Sequence, residues 1–115
     1  MEAVILECGD FPKKEYPREL LRRADVIICC DRALDTFLRH RDKIFKDLRD
    51  PDAIIGDMDS ISPKHLKEYS RIAIREEEQE TNDQTKAFRY LLEHWPEVKT
   101  VHILGATGKR EAHTL

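Results

Sequence analysis

The regular alternation of two kinds of segment is the feature that most constrains the fold of this chain. Short apolar runs such as Ala53-Ile54-Ile55 are separated by longer segments in which apolar residues recur every three or four positions. A continuously apolar run is typical of a strand covered on both faces, and the periodic segments are typical of amphipathic helices. Strands separated by helices need crossover connections, which make neighbouring strands parallel. The sequence therefore predicts an α/β domain with a mostly parallel sheet.

The predicted elements occupy most of the chain. Strands are predicted at 3–8, 25–30, 52–57, 71–76 and 100–106, and helices at 17–24, 31–48, 62–70 and 81–95. The helix at 62–70 has the clearest beginning, because Ser62 can cap its first amides and Pro63 suits its first turn. After the last strand, the segment TGKREAHTL is predicted to turn away and begin a further helix. The result is a three-layer, Rossmann-like arrangement of about five strands with helices on both faces.

Composition narrows the class of protein. The 115 residues suit one compact domain, and the hydrophobic share of 40% can build its core. The net charge of −3 argues against a nucleic-acid or membrane-surface partner, and no apolar run is long enough to span a bilayer. Cys8, Cys29 and Cys30 form no spaced pair of the kind that binds zinc. We interpret them as reduced core thiols of a cytoplasmic protein.

Polar residues gather where the predicted strands end. Carboxylates lie at or just past the ends of the first four strands, and glycines and cations follow the fifth. They are Glu7 and Asp10, then Asp31, Asp57, Asp59 and Asp83, and finally Gly105, Gly108, Lys109 and Arg110. Ligands of open α/β sheets bind beyond the carboxyl ends of the strands, so we expect these residues to share one cleft. Converging carboxylates repel one another unless a cation lies between them, and Mg²⁺ accepts carboxylate and phosphate oxygens together. The pattern favours a magnesium-assisted phosphate site.

Each part of this pattern has a structural alternative. Two acids separated by one residue are common in turns and helix caps. Thr81 or Asn82 could cap the helix that follows them, with Asp83 stabilising its first turn. The evidence for a site is the coincidence of several such strand ends.

Three ordered motifs resemble the catalytic domain of the thiamine pyrophosphokinase family: PDAIIGDMDSIS, QETNDQTKA and GATGKREAHTL. The resemblance implies Mg²⁺-dependent transfer of pyrophosphate from ATP to the hydroxyl of thiamine, with release of AMP. It implies that Asp57, Asp59 and Asp83 are catalytic metal ligands and that Asp31 lines the nucleotide or substrate cleft. Nucleotide phosphates would be held by the residues of the last motif: Thr107, Gly108, Lys109 and Arg110.

The chain departs from the family pattern at three positions. Ala112 stands where the family has an acid, Arg32 follows Asp31 where the family usually has glycine, and Lys109 replaces a common second glycine. The family also continues into a β-sandwich domain that helps bind thiamine across a homodimer, so residues 1–115 are expected to be the catalytic domain alone. These features leave open a catalytically inactive nucleotide-binding fragment.

Other metal-dependent folds explain less of the sequence. A Toprim-like nucleic-acid module would use Glu7 with Asp57 and Asp59, but it would give the second and third motifs no role and expects a basic surface. Phosphatases with a D-x-D-x-T motif need threonine where Ile61 stands.

Overall fold

The described residues form one sheet with helices packed on both of its faces. The computed structural model describes residues 1–7, 15–31, 33–47, 49–56, 58, 61–75, 83–105 and 112–114, with the backbone alone at 83, 84 and 112–114. The strands are β1 Glu2–Leu6, β2 Val26–Cys30, β3 Ala53–Gly56, β4 Ala73–Arg75, β5 Thr100–Leu104 and β6 Ala112–Thr114. The helices are α1 Glu15–Arg23, α2 Ala33–Ile44, α3 Pro63–Glu68 and α4 Asp83–His94.

The strand order is β4-β3-β2-β1-β5-β6. Strands β1 to β5 are parallel, with registers such as Ala3↔Val26 between β1 and β2 and Ala3↔Val101 between β1 and β5. The predicted fold class is confirmed, and each predicted strand overlaps an observed one. Because β1 has β2 on one side and β5 on the other, the chain reverses its direction across the sheet between β4 and β5.

Alternate residues of the buried strands pack into two separate hydrophobic cores, one on each face of the sheet. One core lies under α1, α2 and α3, and its strand residues are Val4, Leu6, Ile27, Cys29, Ile54 and Leu104. The other core lies under α4 and takes Ala3, Ile5, Val26, Ile28, Cys30, Ala53, Ile55, Val101 and Ile103. Since crossovers between parallel strands are right-handed, the reversal of direction after β4 places α4 on the opposite face from the other helices.

The chain after β5 contradicts the expected helix. Ala112–Thr114 is a strand that pairs antiparallel with β5, in the register His102↔Thr114. An edge strand presents a row of unpaired N–H and C=O groups, and the returning chain satisfies them on β5. Smaller differences concern element ends; for example, α2 stops at Ile44, and a 3₁₀ turn at Ser70–Ile72 delays the start of β4.

Two of the three cysteines have the predicted environment. Cys29 and Cys30 are buried free thiols in β2, and Cys8 lies outside the described residues. Burial raises the pKa of the Cys29 thiol, which keeps it protonated and unreactive. None of the described helices has the length and apolar character needed to cross a membrane.

Candidate functional site

The five parallel strands all end at one edge of the sheet, which we call the carboxyl edge. Their last residues are Leu6, Cys30, Gly56, Arg75 and Leu104. The opposite edge, where these strands begin, is the amino edge. The connections from β2 to α2, from β3 to α3 and from β4 to α4 all leave the carboxyl edge. The predicted acids lie on these connections or, for Asp83, at the start of the helix that follows. In such sheets a ligand crevice forms beyond this edge, where the strand order reverses.

Asp31 directly follows β2 and begins the turn into α2. Its side chain is buried, with 9% of the residue exposed, and its φ of 52° is in the left-handed region, which aspartate tolerates better than most residues. Its N–H donates to the carbonyl of Ile55 at 2.8 Å, and its own carbonyl accepts from the N–H of Leu34 at 3.2 Å. Arg32, which stands where the family usually has glycine, lies outside the described residues.

Gly56, the last residue of β3, lies directly against Asp31. A Cβ atom at Gly56 would lie 3.1 Å from Asp31 Cβ and 3.3 Å from Asp31 Cγ. The φ of Gly56 is 152°, which side-chain-bearing residues rarely adopt. Because Gly56 has no side chain, Asp31 can pack directly against it. Gly56 is the residue immediately before Asp57. The structure therefore brings Asp31 to the beginning of the connection that carries Asp57 and Asp59.

We call residues 57–61, which carry those two acids, the acid segment. Its residue Met58 is only 4% exposed, belongs to the core under α2 and α3, and has a φ of 72°. Ile61, at the end of the segment, returns to the same core and is 5% exposed. Asp57 and Asp59 lie outside the described residues. The segment that carries them is thus attached to the core through two apolar side chains.

An aspartate and a histidine that the sequence did not single out join α2 to α3. Asp35 Oδ1 is paired with His65 Nδ1, and Asp35 Oδ2 accepts from the N–H of Ser62 at 3.2 Å. Ser62 is the predicted N-cap of α3 and accepts from the N–H of His65 at 3.5 Å. Asp35 and His65 are 30 positions apart, so no local spacing announces the pair. From sequence, an aspartate in the first turn of a helix indicates only a favourable interaction with the helix dipole.

Asp83 is the first residue of α4, so its backbone lies where the chain returns from the carboxyl edge. This agrees with the predicted helix start, and the candidate caps Thr81 and Asn82 lie outside the described residues. The helix is held over the sheet by Ala87 and Leu91, both fully buried in the second core. Asp83 is consequently at the end of a firmly packed element, on the same edge as Asp31.

The fifth strand ends in a reversal of the chain. Gly105 has a φ of 75°, a conformation that glycine adopts without strain. The connection from Gly105 to Ala112 joins antiparallel strands, and Ala112 pairs with Leu104, the last residue of β5. Ala112, the departure from the family acid, is therefore placed at the carboxyl edge. The four predicted phosphate-binding residues belong to this connection and lie outside the described residues: Thr107, Gly108, Lys109 and Arg110.

The described side chains contain no group of three histidine, cysteine, aspartate or glutamate residues able to hold a metal ion. Of the three predicted ligands, Asp57 and Asp59 lie in the acid segment outside the described residues, and Asp83 is described by its backbone. The structure nevertheless gives the end of β3, directly before Asp57, and the start of α4 at Asp83. β3 ends, and α4 begins, at the same edge at which the Asp31 carboxylate is buried, and hard oxygen donors of this kind suit Mg²⁺.

Comparisons with known proteins agree with this fold. A family model described as the catalytic domain of thiamin pyrophosphokinase matches residues 17–115. A thiamin pyrophosphokinase from Candida albicans superposes with a TM-score of 0.68 at 24% identity, over 95% of this chain and 49% of that one. A thiamin pyrophosphokinase family protein from Enterococcus faecalis gives 0.67 at 23% identity, over 96% and 49%. This chain thus spans about half the length of these two structures. Among curated protein sequences, none matches it.

Proposed function

Because the chain belongs to the thiamin pyrophosphokinase catalytic-domain family, we propose that it is the nucleotide-binding, group-transferring part of a thiamine diphosphokinase. The enzyme transfers pyrophosphate from ATP to the hydroxyl of thiamine, giving thiamine diphosphate and AMP. The contact between Asp31 and Gly56 carries the proposal, because it joins the ends of two strands that are each followed by a predicted site acid. That is the arrangement expected of a cleft beyond the carboxyl edge.

The acids have distinct roles in this proposal. Asp57, Asp59 and Asp83 would hold Mg²⁺, which when bound offsets the negative charge of the ATP phosphates. Asp31 lines the cleft beside them. The Asp31 carboxylate is buried next to Gly56, where it would present a polar group to the proposed cleft.

The cations of the last connection complete the proposed phosphate site. Thr107 and Gly108 would offer hydroxyl and backbone donors to the ATP phosphates, while Lys109 and Arg110 would supply positive charge. In the reaction, the thiamine hydroxyl oxygen forms a bond to the β-phosphorus. The bond from that phosphorus to the oxygen bridging it to the α-phosphate breaks, AMP leaves, and the hydroxyl proton passes to water or to a site carboxylate. The protein contributes mainly by holding the two substrates in line.

The proposal predicts thiamine-dependent formation of AMP from ATP in the presence of MgCl₂. Chromatographic separation of AMP, ADP and thiamine diphosphate checks it, with reactions lacking thiamine or containing excess EDTA as controls. Equal amounts of AMP and thiamine diphosphate are expected. AMP formation that ignores thiamine, or exclusive formation of ADP, would contradict this activity.

A second candidate is an ATP-binding chain without turnover, and the position of Ala112 favours it. Ala112 pairs with the last residue of β5, so the family acid is missing at the carboxyl edge itself. This alternative predicts that Mg²⁺–ATP binds with no AMP formed, and that Ala112→Asp introduces AMP formation. If the wild-type chain forms AMP and Ala112→Asp forms it at the same rate, Ala112 does not impair the reaction.

The resemblance also suggests how the whole enzyme is organised. We propose a cytoplasmic homodimer in which a β-sandwich domain of the partner contributes to the thiamine cleft. Sedimentation of the whole protein tests the dimer, and a monomer that retains full activity would rule it out.

A further inference from the structure

We propose that Asp35 is a positioning residue that holds the acid segment against the beginning of α2. The geometric part of this inference stands alone, whereas its link to Mg²⁺–ATP rests on the proposed function. Asp35 belongs to none of the three family motifs, and it is four positions after Asp31.

Both carboxylate oxygens of Asp35 contact residues at the beginning of α3. Oδ2 accepts from the Ser62 N–H at 3.2 Å, and Oδ1 is paired with His65 Nδ1. The Asp35 side chain is 22% exposed and that of His65 is 27% exposed. A carboxylate engaged at both oxygens has little rotational freedom, so this contact fixes the distance between the two helix starts. Exposed ion pairs contribute little, but hydrogen bonds that are shielded and charge-assisted are stronger.

The two residues that flank the acid segment, Gly56 and Ser62, both contact the chain at the beginning of α2. At its beginning, Gly56 lies against Asp31. At its end, the N–H of Ser62 is bound by Asp35. Asp31 is itself tied to α2, because its carbonyl accepts from the N–H of Leu34. Asp31 and Asp35 therefore contact the residues on either side of the segment that carries Asp57 and Asp59.

Groups that orient metal ligands without touching the metal can change metal affinity about 10–100-fold. Loss of the Asp35 carboxylate would leave the Ser62 N–H without its acceptor, and the acid segment would then be held only by the packing of Met58 and Ile61 and by the contact at Gly56. The two predicted ligands would then sample more conformations, and ordering them on binding would cost free energy. We expect weaker binding of Mg²⁺–ATP, with little change in the rate of transfer once the substrates are saturating.

Asp50 offers a matched control at the opposite edge. It also joins two elements, since its Oδ1 accepts from the Tyr69 hydroxyl at 2.9 Å and pairs with Arg41. Asp50 precedes β3, so it lies at the amino edge. Asp35→Ala and Asp50→Ala each remove a carboxylate with two partners, but only Asp35 binds a residue next to the acid segment.

The test compares these variants in the full 115-residue chain. Titration calorimetry with ATP and MgCl₂ should show about tenfold or weaker binding for Asp35→Ala and less than about twofold change for Asp50→Ala. Amide exchange at Ile61 and Ser62 should accelerate in Asp35→Ala alone. Asp35→Asn, which keeps one acceptor oxygen and is safer for folding, should fall between wild type and alanine in both measurements. His65→Ala leaves the Ser62 contact in place and should have a smaller effect than Asp35→Ala.

The possible outcomes separate the two proposals. Wild-type affinity in Asp35→Ala, or equal weakening in Asp35→Ala and Asp50→Ala, overturns the positioning role while the proposed function stands. A wild-type chain that binds no Mg²⁺–ATP overturns the proposed function. In that case exchange at Ser62 still decides the geometric inference: acceleration restricted to the Asp35 variants supports it, and unchanged exchange overturns it.

Discussion

The amino edge of the sheet holds its acids in contacts between neighbouring elements, whereas the carboxyl edge places Asp31 in an unusual backbone conformation beside Gly56. At the amino edge, Asp25 accepts from the N–H of Glu2 at 2.8 Å, and Asp52 accepts from the N–H of Ile27 at 2.8 Å. These bonds continue the strand pairing between β1, β2 and β3. The acids of the amino edge therefore act on the fold itself.

Unusual backbone conformations, in contrast, occur at the carboxyl edge. All described residues with positive φ lie at the carboxyl edge: Asp31, Gly56, Met58 and Gly105. For a residue with a side chain, such a conformation costs about 1–3 kcal/mol and persists only where its surroundings enforce it. Conformations of this kind concentrate at sites of function. The amino edge therefore stabilises the sheet through its hydrogen bonds, while the backbone conformations of the carboxyl edge let residues such as Asp31 and Gly56 lie close together.

The largest expected effect comes from exchanging an acid at each edge for alanine. Asp57→Ala should lower thiamine-dependent AMP formation about 100-fold or more, because it removes a proposed metal ligand. Asp52→Ala should instead lower the free energy of unfolding by about 1–3 kcal/mol, because the N–H of Ile27 loses its acceptor. Steady-state assays and urea unfolding of both variants check the comparison. The division between the edges fails if Asp57→Ala chiefly destabilises the protein or Asp52→Ala chiefly weakens Mg²⁺–ATP binding.

Gly56→Ala sharpens the comparison within the carboxyl edge. The new Cβ would lie 3.1 Å from Asp31 Cβ in a backbone with a φ of 152°, so we expect a loss of about 1–3 kcal/mol in unfolding free energy. Part of this loss comes from the contact and part from the backbone conformation.

Combining Gly56→Ala with Asp31→Ala separates those two parts by urea unfolding. The Asp31→Ala change keeps the Cβ but removes the Cγ contact at 3.3 Å, so the double variant should lose less than the sum of the single variants. Strict additivity would mean that Asp31 and Gly56 do not constrain each other.

The smallest effect concerns the pH dependence of the amino edge. The hydrogen bond to His102 Nε2, at 3.1 Å, and the neighbouring Arg23 lower the pKa of Glu2 below its ordinary value of 4.5. A carboxylate with a lowered pKa stabilises the fold above its unfolded-state pKa, and this contribution disappears as the pH falls through the folded-state pKa. Glu2→Gln should therefore lose slightly more stability at about pH 7 than at about pH 3. Thermal unfolding across this range checks it, and parallel curves for variant and wild type would contradict it.

Much of the fold follows from local sequence. Each apolar run became a strand, and Ser62 with Pro63 became the N-cap and first residue of α3. The strand at Ala112–Thr114 was not predictable from its three residues, because pairing with the free side of β5 decides its conformation. Short segments without periodicity take the structure that their neighbours offer.

Some features of the candidate site can likewise be predicted from the sequence, whereas others depend on the tertiary structure. The sequence places acids at the ends of the first four strands, and parallel strand direction is enough to bring those ends to one edge. The contact of Asp31 with Gly56 and the bond from Ser62 to Asp35 join residues far apart in the chain, with the second pair 27 positions apart. No periodicity records such contacts, since they depend on how β2, β3 and their helices pack.

By itself, the sequence determined the order of strands and helices as far as β5, the two-sided burial of those strands and the strand ends at which acids occur. These properties depend on the spacing of apolar residues and on caps, which act within a few positions of the chain. Only the tertiary structure decided that Asp31 lies against Gly56, that the Ser62 N–H donates to Asp35 and that Ala112 lies beside the end of β5. Those placements arise from packing between distant segments, which becomes defined only when the whole sheet has assembled.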